Sequence, residues 1–406
     1  MKKGVKCIIT ASILAAVLGT GFTKSLKAVE GQQGHIAYAS ACASENIIKN
    51  GLKIYGKSAY LMDFTTNSVI YAQNETQHLP IASMCKIMTL ILAFDAIAAG
   101  DLRLDEEICV SERAASMGGS QVFLEKNAKY QVKELLKSIV VCSANDSCVA
   151  IAERIAGSEE AFTDLMCEKA KCLGANDTVF ANCTGLPKEP QYSCAKDVAI
   201  MLKELLKHDE YYEFGKVWLD KFQHPQGRYT EITNTNKLVR FYDGCDGGKT
   251  GFTNQAGFCL AATAKRNGLR VISVSIGSDT SQHRFDDVRG MFDYAFANYT
   301  MTPLAEANVA LEQQVPIENG KEKFVSVCPA RTAVLFEKRG EKSGVTMDTR
   351  FQTVCAPIQK GQTVGELVVY KNGVETDRVA LIAMQDVDKA TWFDQLRDIA
   401  REWTKR

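Results

Sequence analysis

The chain has 406 residues, 46% hydrophobic and 24% charged, with 48 basic and 48 acidic side chains. That balance excludes wholesale disorder, collagen-like repeats and a multi-span membrane protein, and it gives no global bias toward nucleic acid. Its 14 cysteines read as disulfides in an exported protein and as metal or redox ligands in a cytosolic one.

The compartment is addressed by the first residues. Lys2, Lys3 and Lys6 precede an apolar run from Cys7 to Gly19. The run is short of the roughly 20 residues that a spanning helix needs, so it fits a secretory signal better than an anchor. Residues 1–43 are read as signal and polar lead. Small-residue sites at Ala37-Tyr38-Ala39 and Ala41-Cys42-Ala43 leave the cleavage point open.

Two short apolar runs, Ser58 to Phe64 and Ser68 to Ala72, flank a turn and predict a β-hairpin. From Ser83 to Ala99 the period is helical, with Ile87, Leu90, Ile91, Phe94 and Ile97 on one face and Gly100 as the stop. Residues 131–207 are mostly helical in pattern, Val132 to Val141 and Ala195 to Lys207 most clearly. Strand patterns return at Gly257–Lys265 and Leu269–Ile276, and a helix follows near Arg284–Tyr299. A hairpin, a helical middle, paired strands and a closing helix predict an α+β domain over 44–300, with helices packed on an antiparallel sheet.

After Tyr299 the character changes. Short alternating runs such as Phe324 to Val327 and Gly365 to Tyr370, separated by turns such as Lys371-Asn372-Gly373, predict a small all-β domain over 301–386. In 387–406, Trp392, Phe393, Leu396, Ile399, Ala400 and Trp403 fall on one helical face opposite Asp394, Arg397, Asp398, Arg401 and Lys405. Such an amphipathic helix serves a membrane interface or packs on the protein itself, and the sequence leaves the two open.

Three short motifs stand in order: Ser83-Met84-Cys85-Lys86, Ser143-Ala144-Asn145 and Lys249-Thr250-Gly251. Each alone is common by chance; their order is the signal. Ser83 at a helix start lies where free N–H groups favour developing negative charge. Lys86, one turn on, reaches its hydroxyl, and a serine needs such a base to be nucleophilic. Lys86 acts as one only when burial and a cationic neighbour, Lys249, lower its proton affinity. Ser143 passes a proton to the leaving amine and Asn145 holds a peptide carbonyl. Lys249 and Thr250 take a substrate carboxylate, and Gly251 lets the backbone come close.

These motifs, with Met117 to Ser120, Ala161 to Leu186, Gln191 to Ser193, Ala256-Gly257 and Ala262 to Lys265, resemble the low-molecular-mass penicillin-binding proteins, the serine D-alanyl-D-alanine carboxypeptidases. The resemblance runs from about 45 to 385. It implies a penicillin-binding, β-lactamase-like transpeptidase fold, an all-β second domain, and a terminal helix tethering the enzyme to the outer face of the cytoplasmic membrane. It implies Ser83 as acylated nucleophile, Lys86 as base, Ser143 and Asn145 completing the centre, and Lys249 and Thr250 on the terminal carboxylate. The N–H groups of Ser83 and Phe252 form the implied oxyanion hole. Phe252 departs from the His or Tyr frequent after the third motif, which removes any polar role of that side chain. Arg284 is a weaker carboxylate candidate.

The implied substrates are peptidoglycan pentapeptide stems, and the implied inhibitors are β-lactams. No metal or organic cofactor is expected: the His are scattered and Cys167 with Cys172 lacks a paired zinc knuckle. Two other readings remain distinct. A class A β-lactamase needs a glutamate for deacylation, and Glu159, Glu160 and Glu168 lie in the relevant interval. A silent homologue would bind wall peptide without releasing D-Ala. Cys85 and Cys142 adjoin the motifs, most cysteines fall in core patterns, and Cys328 with Cys355 is the one pair to test as a disulfide.

Overall fold

The computed structural model describes residues 48–49 and 51–403; the proposed signal segment lies outside them. The predicted hairpin is strands β1 (Ser58–Asp63) and β2 (Val69–Gln73). It joins β3 (Cys245–Thr253), β4 (Gly257–Arg266) and β5 (Leu269–Ser278) in one antiparallel sheet, ordered β2-β1-β5-β4-β3. β3, which carries the third motif, is therefore an edge strand.

Alternation builds a core on each face of this sheet. Ala261, Ile272 and Val274 pack with Ile87, Leu90 and Leu202 of helices α1 (Lys86–Ala99) and α5 (Ala195–Leu205). Leu260, Ala262 and Val271 pack with Phe285, Val288 and Phe292 of α6 (Ser281–Asn298). That last helix starts three residues before the predicted Arg284, because Thr280 Oγ1 caps it by accepting from His283 N at 3.1 Å. The stretch Ala82–Ala99, which ends in α1, is long and apolar enough for a membrane, but Ile87, Leu90, Ile91 and Phe94 are buried, so α1 is a core helix. Between α1 and α5 lie α2 (Val132–Cys142), α3 (Asn145–Ala156) and α4 (Glu159–Cys172).

The second half is β-rich, as predicted. Strands β6 (Tyr299–Ala305) and β9 (Ala333–Lys338) pair with each other. β7 (Gln314–Glu318), β8 (Phe324–Pro329), β10 (Val345–Phe351), β11 (Val354–Cys355), β12 (Thr363–Lys371) and β13 (Val374–Ala383) form a sheet ordered β10-β12-β13-β8-β7-β11. Its core includes Val315, Val325, Val327 and Val364.

This order decides the one cysteine pair that the sequence left to test. Cys328 lies in β8 and Cys355 in β11, with β7 between them. Two strand spacings are about 9–10 Å, beyond the roughly 7 Å between Cα atoms that a disulfide spans. Both are free thiols, as are the other ten cysteines among the described residues. The chain closes with helix α7 (Trp392–Trp403), where Trp392, Phe393 and Leu396 are exposed.

Candidate active site

Ser83 sits in a single 3-10 turn, Ala82–Cys85, that leads into α1. The turn is approached through Ala82 at φ 47°, a left-handed backbone that L-residues with a Cβ seldom adopt outside functional sites. Two glycines permit this approach. A Cβ on Gly251 would lie 2.6 Å from Ile81 O, and one on Gly185 would lie 2.0 Å from Ala82 O. The third motif's glycine is thus needed where β3 presses on the turn that carries Ser83.

Lys86 is fully buried, and its ammonium has three acceptors. Nζ donates to Ser83 Oγ at 3.0 Å, to Asn145 Oδ1 at 2.7 Å and to Thr184 O at 2.5 Å. The sequence reading identified the first partner; it placed Asn145 in the same centre, but to hold a peptide carbonyl and not as a partner of Lys86. It missed the third, a backbone carbonyl that no side-chain motif reports. Three consecutive carbonyls of that loop face α1 and its leading turn: Asn182 O takes Cys85 Sγ, Cys183 O takes Thr89 Oγ1, and Thr184 O takes Lys86.

The loop is held from behind. Asn182 Oδ1 accepts from Thr184 N at 3.2 Å and Gly185 N at 2.7 Å. Gln191 Oε1 accepts from Ala181 N and Asn182 N. Glu159 Oε1 accepts from Cys183 N at 3.3 Å, while Arg113 pairs with its other oxygen. Glu159 therefore buttresses the loop, Glu160 and Glu168 are exposed, and none of the three is among the partners of Ser83 or Lys86.

Ser143 ends α2 in a left-handed conformation, φ 66°. Its Oγ is buried without a hydrogen-bond partner, which leaves the hydroxyl free to turn toward a reacting group. Asn145 N donates to Ser120 O and Nδ2 to Gly118 O, both at 2.7 Å. Asp146 beside it accepts from Val122 N and Leu124 N, each at 3.1 Å. The start of α3 thereby clamps the segment 118–124 as a wall of the site.

Lys249 is 2% exposed, and its Nζ donates to Thr250 O at 2.9 Å. Burial first, and then repulsion from Lys86, hold its ammonium well below the ordinary lysine range. The preceding Gly248 N donates to the buried Tyr211 hydroxyl at 2.8 Å, which fixes the strand where it enters the site. Thr250 Oγ1 donates to Thr235 Oγ1 at 2.8 Å. Thr235 was not anticipated: Asn234-Thr235-Asn236 matches no periodic pattern. In the fold Asn234 and Asn236 are buried on either side, and Thr235 N donates to Val141 O at 3.0 Å.

Phe252 is half exposed and stacks on Phe258 at 4.3 Å between ring centroids. Arg284 Nη1 donates to Gly251 O at 3.2 Å and to Cys259 O at 3.4 Å, so this guanidinium braces the β3–β4 pair. Burial pushes it down to about 10. Among the described residues, Asp177, Cys194 and Asp197 form the one cluster of three potential metal ligands. Asp197 Oδ2 already accepts from Asp177 N and Thr178 Oγ1, and Cys194 Sγ from Asp197 N, so the cluster serves to cap α5.

Comparison with known proteins agrees with this geometry. Residues 44–280 match the D-alanyl-D-alanine carboxypeptidase family, Peptidase S11, and residues 299–389 match the C-terminal domain of penicillin-binding protein 5. The chain is 40% identical over 351 residues to D-alanyl-D-alanine carboxypeptidase DacF of Bacillus subtilis, covering 86% of this chain and 90% of that one. Its fold is similar to a peptidoglycan synthesis regulatory factor, PBP3, from Streptococcus pneumoniae, with TM-score 0.70 and 27% identity over 83% of this chain and all of that one. It is also similar to penicillin-binding protein D2 from Listeria monocytogenes in its ampicillin-bound form, with TM-score 0.54 and 28% identity over 60% of this chain and 98% of that one. With a family match over more than half its length and a relative at this identity, the chain belongs to the D-alanyl-D-alanine carboxypeptidase family of penicillin-binding serine hydrolases.

Proposed function

We propose that the chain removes the terminal D-Ala from peptidoglycan pentapeptide stems through an acyl-enzyme on Ser83. The observation that carries this is the Lys86 Nζ–Ser83 Oγ contact of 3.0 Å in a site that also gathers Asn145, Lys249 and Thr250. In the neutral state Lys86 takes the Ser83 proton as the hydroxyl attacks the penultimate D-Ala carbonyl. The backbone N–H groups of Ser83 and Phe252 take the oxyanion. Ser143 Oγ hands the proton to the leaving amine, D-Ala departs, and water cleaves the ester. Asn145 keeps a second Nδ2 hydrogen for a substrate carbonyl, and Lys249 with Thr250 holds the terminal carboxylate.

A β-lactam, whose strained amide mimics the D-Ala-D-Ala bond, acylates the same serine; the ampicillin-bound Listeria relative supports this. No metal or organic cofactor enters any step. Our reading divides the chain into signal and lead at 1–43, peptidase domain at 44–300, all-β domain at 301–386 and tether at 387–406. The enzyme then works on the outer face of the cytoplasmic membrane, held by α7. The exposure of Trp392, Phe393 and Leu396 supports that anchoring.

The test is D-Ala release from diacyl-L-Lys-D-Ala-D-Ala by the full chain, with mass spectrometry after penicillin treatment. Release with a penicilloyl adduct on Ser83 is expected. Release that persists in Ser83→Ala rejects the nucleophile, and penicillin labelling without release favours a silent binder.

A further inference from the structure

The proposed reaction puts the developing oxyanion on the backbone N–H groups of Ser83 and Phe252, and this inference rests on that reading. The Phe252 N–H belongs to the peptide group that joins Gly251 to Phe252. That peptide is trans, so its carbonyl, Gly251 O, points opposite to its N–H. The same carbonyl accepts from Arg284 Nη1 at 3.2 Å. One peptide group therefore has a guanidinium at one end and, in the reaction, the oxyanion at the other.

Arg284 is fixed for this contact. It lies one turn into α6, where Nη2 donates to Ser281 Oγ at 3.2 Å. Nη1 also reaches Cys259 O at 3.4 Å, and Cys259 stands opposite Gly251 in the β3–β4 register. The guanidinium carbon lies 5.3 Å from the Phe258 ring centre and 4.9 Å from that of Phe285. No carboxylate pairs with it among the described residues, and its Nε is buried without a hydrogen-bond partner. At about 10 it stays charged at neutral pH, and its repulsion is felt by Lys249. An unpaired cation, partly buried and close to a helix N-terminus, is unfavourable for folding. Stability therefore does not account for the charge.

We propose that Arg284 is a positioning residue acting through the Gly251–Phe252 peptide: by polarising Gly251 O it makes the Phe252 N–H a stronger donor to the tetrahedral oxyanion. A charged donor makes roughly twice as strong a hydrogen bond as a neutral one, and polarising one end of a peptide strengthens the bond at its other end. The ground-state carbonyl carries less charge on oxygen and gains less, so the effect falls on acylation and not on binding. A whole oxyanion donor is worth about 10²–10³ in rate, and the part of it that polarisation supplies is worth about 3- to 10-fold.

The test acylates the full chain with benzylpenicillin carrying ¹³C at the β-lactam carbonyl and reads the infrared band of the Ser83 ester, which falls in frequency as the oxyanion hole strengthens. Arg284→Gln keeps an N–H donor for Gly251 O and removes the charge. It is expected to raise the ester frequency and to slow acylation by about 3- to 10-fold, with KM for a D-Ala-D-Ala peptide held within about 2-fold. Arg284→Lys keeps the charge and should restore most of both. Arg284→Met removes charge and donor together and should shift the band at least as far; it stands in if Arg284→Gln does not fold. An ester band unmoved by loss of the charge overturns the inference and leaves Arg284 a brace between strands. A loss confined to KM also overturns it and makes Arg284 a partner of the substrate carboxylate. No penicilloyl ester on Ser83 in the wild type would bring down the carboxypeptidase reading as well.

Discussion

Thr250 Oγ1 donates to Thr235 Oγ1 at 2.8 Å, joining a residue of the third motif to one that no motif names. Thr250 has a single hydroxyl proton, so when the substrate carboxylate takes it our mechanism has the pair reverse, with Thr235 donating to Thr250 Oγ1. Thr235→Val preserves shape but removes this partner. A hydrogen bond of this kind contributes about 1–1.5 kcal/mol, so kcat/KM for a D-Ala-D-Ala peptide should fall about 5- to 15-fold, mostly through KM. Thr235→Ser should behave like the wild type. An unchanged KM in Thr235→Val would remove Thr235 from the carboxylate subsite.

Lys249 shows how function opposes stability. Its folded-state proton affinity is depressed, so the unfolded chain binds that proton more tightly. The folded state is then penalised at neutral pH, and the penalty fades as pH rises toward the ordinary lysine value of 10.5. Lys249→Met should raise Tm at pH 7, by about 2–4 °C for each kcal/mol relieved, and the gain should shrink near pH 10. The same substitution should lower kcat/KM by about 10- to 100-fold through loss of the carboxylate's charged partner. Thermal melts at the two pH values check the sign; a mutant less stable at both would show that the buried ammonium is fully compensated.

The layout of this fold was legible where periodicity is strong. The Ile87–Phe94 stripe, the paired strands around Asn267-Gly268 and the alternating runs after Tyr299 all lie as read. The first contact of Lys86 was also legible, because Ser83 is one turn away, whereas Asn145 was read for a peptide carbonyl and its bond to Lys86 was not foreseen. What was not legible came from chain segments that meet only on folding. Thr184 contributes a carbonyl, which any residue type can supply, and Thr235 reaches Thr250 through two buried asparagines with no period of their own. Whether Cys328 and Cys355 could pair was open in sequence for a related reason: proximity in a β-domain depends on strand order, and β7 separates them.

Glu159 links the loop behind Lys86 to α4, and its removal should be felt in both stability and rate. Burial pushes its carboxyl up, but the hydrogen bond from Arg113 and then that from Cys183 N outweigh this and leave it below the usual range. A depressed carboxyl contributes stability above the ordinary glutamate range and loses it as pH falls through the depressed value. Arg113 is half exposed, so its charge is partly screened. Glu159→Gln should therefore cost about 1–3 kcal/mol at pH 7 and distinctly less at pH 3. Acylation of Ser83 should slow as Thr184 O loses its fixed position, while β-lactam hydrolysis should be no more impaired than acylation itself. A deacylation defect larger than the acylation defect would instead make Glu159 the group that activates water.

The cysteines make a prediction about chemical access. Cys109, Cys172 and Cys355 are exposed, Cys142 and Cys167 are half-buried, and the remaining seven described thiols are buried. Burial pushes Cys142, Cys148, Cys194 and Cys245 up to about 12 and Cys259 to about 11. A thiol at about 12 is ionised to roughly one part in 10⁴ at pH 8, and a buried one is also closed to reagent. Native alkylation with iodoacetamide at pH 8 should therefore label Cys109 and Cys172 first. Cys355 should follow, because the hydrogen bond to Glu318 raises its thiol. Cys142, although next to Ser143, should resist, and D-Ala release should survive labelling. Peptide mapping by mass spectrometry reads the order directly: early modification of Cys142 with loss of activity would mean that the segment between α2 and α3 opens far more often than its packing implies.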